Sequence, residues 1–222
     1  MKDDLTQDAA LPDPDRAKAR AVSASKNVAL IAVLSAMVVG GKYALQWIPN
    51  VEVVTILLMT FTFALGLWRG IVTAVVFCLM DMLLYPFSFA VTVAYFIYWP
   101  FILCPAAWLV NAVGSKRKNP AVADGGAGKS AAEPIAKQVR SAIANAFAAA
   151  GCSFLFGIVT TLSYSIIAGA PFIASYVPGV LFFALHIVSN FLIVLFAFKP
   201  LSKLLFKLKT LYRFVGLSNV WQ

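Results

Sequence analysis

Lys42, Asn50, Glu52, Asp81, His186 and Asn190 are the residues best equipped for chemistry in this chain, because each sets a charge or a strong hydrogen-bonding group within or beside a long apolar run. An acid opposite a lysine can hold a ligand of mixed charge, and a carboxylate or imidazole close to a substrate proton can act as general acid or base. Spacing adds one pair. His186 and Asn190 are four residues apart, so on a helix they share a face. The aromatics Tyr95, Tyr98 and Trp99, at the start of the fourth apolar run, suit stacking or a cation–π contact. A Ser/His/Asp grouping of His186 with Asp81 finds no support in the spacing, and the chain contains no GxxxxGK[ST], HExxH, GxSxG or clustered Asp motif. Cys78, Cys104 and Cys152 lie inside apolar runs without metal-site or disulfide spacing and read as small core residues. No catalytic residue, metal or cofactor is therefore expected.

The elements that must position these side chains follow from composition. Of 222 residues, 61% are hydrophobic and only 12% charged, and the mean hydropathy is +0.86. Such a chain is an integral membrane protein. A bilayer core of about 30 Å needs roughly 20 apolar residues per helix. Six runs approach that length: 27–47, 51–68, 70–86, 90–112, 142–168 and 178–198. The expected fold is an all-α bundle of six transmembrane helices spanning residues 27–198. The polar leader, residues 1–26, is followed by a run too long for the apolar part of a cleavable signal.

Basic residues orient the bundle. Of the 18 Lys and Arg, all but Lys42 precede the first run or follow the second, fourth or sixth, which in a six-span chain is one side of the membrane. Positive charge stays inside, so both termini are expected in the cytosol and the bundle in the plasma membrane. The net charge of +9 then reflects orientation and headgroup attraction rather than nucleic acid binding. Between the fourth and fifth runs, "KRKNPAVADGGAGKSAAEPIAK" lacks the apolar content to order itself and reads as a flexible cytosolic linker at about 114–140. Residues 199–222 form a basic segment in which Leu201, Leu204, Leu205, Leu208 and Leu211 recur at helical spacing, as on an amphipathic helix at the inner leaflet.

With orientation set, depth can be assigned. Lys42, Asn50, Glu52, Asp81, Tyr95, Trp99, His186 and Asn190 all fall in the outer part of the bundle. Burying a charge in hydrocarbon costs a few kcal/mol, so these groups are expected to face one another, water or a ligand. Simpler roles compete with that reading. Lys42 can snorkel, Glu52 can sit solvated in a first turn, Tyr95 and Trp99 suit an interfacial belt, and His186 with Asn190 can serve as an interhelical hydrogen-bond pair.

Over roughly residues 26–200 the chain resembles the substrate-binding S components of energy-coupling factor (ECF) transporters. The resemblance rests on the first run, "NVALIAVLSAMVVGGKYAL", with its small residues Ala32, Ala36 and Gly40, and on the turn "IPNVE". Size, span number and orientation agree with it. The leader and the long linker depart from the family pattern without touching these positions. The resemblance implies high-affinity capture of a vitamin or related small nutrient at an outward-facing site. It implies docking of Ala32, Ala36 and Gly40 against a transmembrane coupling subunit, with transport energised by two cytosolic ATPases. Two other classes compete: a small multipass membrane enzyme acting on a lipid through Glu52 or Asp81, and a subunit of a secondary transporter.

Overall fold

The computed structural model describes residues 14–48, 51–84, 89–116 and 135–214, and every regular element among them is helical. Helix α1 runs Pro14–Leu45, α2 Val54–Leu65, α3 Leu67–Leu84 and α4 Phe89–Tyr98. A π-helical turn, Trp99–Leu103, joins α4 to α5, Cys104–Lys116. Helix α6 spans Ile135–Ala168, the short α7 Phe172–Tyr176, and α8 Val180–Phe214, the last two linked by a 3₁₀ turn at Val177–Gly179. Five stretches are long and apolar enough to cross a membrane: Ala24–Leu45, Leu67–Leu84, Phe89–Val113, Arg140–Ala168 and Phe172–Leu208.

The second apolar run behaves differently. It forms only the 12-residue α2, about 18 Å long and short of a bilayer core. Nearly all of it is buried, with Val54, Leu58, Met59 and Phe61 fully enclosed. It lies against α1, α3, α5 and α8, so a helix that is apolar all round finds protein on every side. The run ends earlier than its hydropathy predicts because Gly66 turns the chain at φ 96°, a conformation glycine adopts without steric cost. Helix α3 starts at the next residue. Arg69, expected in a loop, therefore sits in the first turn of α3. There its guanidinium donates to Asn27 Oδ1 from Nε at 3.3 Å and from Nη2 at 3.1 Å, tying α3 to α1. A side chain at Gly70 would overlap Thr62, so the bare glycine lets α2 and α3 meet closely.

Prolines shape the fourth span. Pro100 cannot donate to the carbonyl one turn back, and the helix widens there into the π turn, closed by Cys104 N–H on Trp99 O. Asn111 and Asn145 exchange side-chain hydrogen bonds at 3.0 and 3.3 Å, joining α5 to α6. The most extensive packing is α6 on α8. Helix α8 continues through Pro200 to Phe214, so the expected amphipathic segment extends the sixth span as one helix. Helix α1 likewise begins at Pro14, within the expected leader, and α6 at Ile135, within the expected linker. Residues 117–134, the linker's centre, lie outside the described residues, as do Pro49 and Asn50.

Candidate functional site

Successive long helices alternate in direction, so the C-terminal ends of α1, α3 and α6 and the N-terminal ends of α2, α4 and α8 share one end of the bundle. The polar residues gather there. Lys42, one turn before the end of α1, donates from Nζ to Asp81 Oδ1 near the end of α3 at 2.5 Å. Both side chains are largely buried, the lysine 18% and the aspartate 7% exposed. Pairing removes much of the cost of placing either charge in an apolar bundle. The ammonium also stands 4.9 Å from the Tyr95 ring centroid and 5.8 Å from that of Phe77, within cation–π range.

A second group forms around His186. Glu52, just ahead of α2, accepts from Thr55 Oγ1 at 3.2 Å and places Oε1 3.6 Å from His186 Nε2. His186 Nε2 is also 3.2 Å from Asn190 Nδ2, and that amide reaches Ser153 Oγ on α6 at 3.0 Å. The ring of His186 packs on Phe156 at 5.0 Å between centroids.

Aromatic side chains join the two groups into one body. Phe156 lies 6.0 Å from Tyr95, 4.9 Å from Tyr98 and 6.1 Å from Trp99, while Tyr95 meets Trp99 edge-on at 6.0 Å. Trp99 is held by the π turn and is 1% exposed. Among the described residues, three side-chain polar atoms of this body are buried without a hydrogen-bond partner: Tyr98 Oη, Trp99 Nε1 and Asn190 Oδ1. An unsatisfied buried donor or acceptor costs on the order of 1–3 kcal/mol.

The structure thus brings together Lys42, Glu52, Asp81, Tyr95, Trp99, His186 and Asn190, drawn from α1, α3, α4, α8, the π turn and the segment before α2. Asn50 lies outside the described residues. Sequence reasoning missed Phe156, Ser153, Thr55 and Phe77. The two phenylalanines looked like ordinary core residues, and Ser153 is distinguished only by being four residues from Ala149 on the buried face of α6. The chain matches no family model, no curated protein and no solved structure.

The small residues of α1 lie on a different surface. Ala32, Ala36 and Gly40 point away from the bundle, while Leu34 and Val38 face inward at 4% and 0% exposure. A side chain at Gly40 would meet nothing within 4 Å, whereas one at the adjacent Gly41 would come within 2.6 Å of Val53. Gly41, which spacing alone does not single out, is the glycine that lets α1 pack within this chain.

Proposed function

We propose that this protein is a membrane-embedded substrate-binding subunit of the ECF transporter S-component kind, capturing a vitamin or related small nutrient. The observation that carries the reading is the convergence of seven polar and aromatic side chains, distant in sequence, on one end of an apolar helical bundle. Charges are costly there unless they have a use or a partner. In this reading α2 counts as the sixth helix, both termini are cytosolic, and the polar cluster faces outward. The outward-turned Ala32, Ala36 and Gly40 leave a bare strip on which a helix of a transmembrane coupling subunit can approach closely. Two cytosolic ATPases then supply the energy.

Purification of the full chain in nanodiscs, followed by mass spectrometry of retained small molecules, tests the binding role. A water-soluble nutrient near one equivalent is the expected result, and its amount should fall in Trp99→Ala. Turnover of added lipid by the purified chain would overturn the reading in favour of an enzyme.

A further inference from the structure

The two acid groups of the site are not equivalent, and this difference points to the charge of what binds. Asp81 is neutralised within the protein: Lys42 meets it at 2.5 Å and is itself flanked by Tyr95 and Phe77. Glu52 has no lysine or arginine against it among the described residues. Its described hydrogen bond is to the neutral hydroxyl of Thr55 at 3.2 Å. His186 Nε2 stands 3.6 Å from its Oε1, longer than a hydrogen bond and within ion-pair range for a protonated ring.

Behind the imidazole, the Asn190 amide places Nδ2 3.0 Å from Ser153 Oγ and 3.2 Å from His186 Nε2, the direction of the second contact following the tautomer of the ring. Among the described residues, Lys42 is the one lysine or arginine in the cluster, against the two carboxylates Asp81 and Glu52. The Asn190 amide has a spare end in either orientation. As placed, Oδ1 is buried and unpartnered; reversed, the oxygen would accept from Ser153 and His186 and leave the NH₂ unpartnered instead.

We propose that the site takes a monocationic nitrogen heterocycle whose positive end is held by Glu52, making Glu52 the specificity-determining residue. This rests on the capture reading above. The cluster carries one carboxylate in excess of its lysine, and a ligand of charge +1 balances it at the site where a net charge is most costly. A flat ring suits the aromatic side chains of Trp99, Phe156 and Tyr95. A ring nitrogen or carbonyl can accept from Trp99 Nε1, and an N–H can donate to Asn190 Oδ1.

Three probes of one size and shape isolate charge: benzamidine is cationic, benzamide neutral and benzoate anionic. Each is titrated against the full chain in nanodiscs of neutral lipid, reading the thermal midpoint. Benzamidine is expected to bind about tenfold more tightly than benzamide, and benzoate not at all. Glu52→Gln, at a partly exposed side chain, should keep the ligand-free midpoint and erase the difference between benzamidine and benzamide, while Glu52→Asp should retain part of it. Benzoate binding as well as benzamidine, an unchanged preference in Glu52→Gln, or no shift with any probe would each overturn the proposal. Retention of an anionic or neutral nutrient by the purified chain would overturn it while leaving the capture role standing, whereas a chain that retains nothing and answers no probe would remove both.

Discussion

At the residue scale, the Lys42–Asp81 pair decides more about folding than about recognition, because each charge is already answered by the other. Removing one partner takes away the ion pair that offsets the burial of the other, a loss of about 2–3 kcal/mol once the partial exposure of Lys42 is taken into account. Asp81→Asn and Lys42→Met are each expected to lower the thermal midpoint of the ligand-free protein, and the double variant Lys42→Met/Asp81→Leu to recover most of it. Equal losses that add in the double variant would show that the pair is not coupled. The ingredients of this site were legible in the sequence because ionisable groups are rare in apolar helices and a shared depth suffices to group them. Their pairing was not. Nothing in spacing says that Lys42 meets Asp81 rather than Glu52, since the choice depends on how α1, α2 and α3 rotate about their axes, and that is set by contacts such as Gly70 against Thr62 and Gly41 against Val53.

At the element scale, the glycines of the first three helices divide into those that permit packing here and one that does not. Gly70→Ala must displace Thr62 across the α2–α3 contact and should cost about 2 kcal/mol, within the usual range for overpacking. Gly40→Ala has open space and should stabilise the isolated protein by about 0.5 kcal/mol through helix propensity; chemical denaturation of both variants in detergent compares them directly. The same open face separates folding from coupling. Ala32→Trp and Ala36→Trp should leave the stability and ligand binding of the isolated chain within about twofold, while uptake in cells that contain the energising subunits is lost. Full uptake with both tryptophans would eliminate the docking role. Hydropathy located these helices well, yet placed their ends poorly in two cases. The α2–α3 break hangs on the single residue Gly66, and a one-residue turn leaves no polar stretch to see. Helix α8 runs on past Pro200 because Ser202 is buried and Leu201 and Leu205 still pack on the core, so tertiary contact overrides the proline that would otherwise mark an end.

For the whole molecule, the question is which way the bundle faces, since the polar cluster serves as a capture site only if its end meets the outside. Helix α1 enters from the end that carries Lys26, and α8 leaves toward the end that carries Lys199, Lys203 and Lys207. In the proposed orientation, with the basic residues on the cytosolic side, the Glu52, His186 and Asp81 end faces outward. Helix α7 and the 3₁₀ turn after it join α6 to α8 at that same end, held by Phe172 on Tyr176 at 5.5 Å and Tyr176 on Phe183 at 5.3 Å. Ile173 there is 69% exposed. The three native cysteines are buried, Cys78 at 2%, Cys104 at 0% and Cys152 at 4% exposure, so a membrane-impermeant maleimide has little background target. Ile173→Cys should label in intact cells, and Lys203→Cys only after the membrane is opened. The reverse pattern would turn the bundle over and place the polar cluster in the cytosol. Labelling of both positions from outside would mean that α8 does not cross at all, and the six-helix reading would then fail at its last helix.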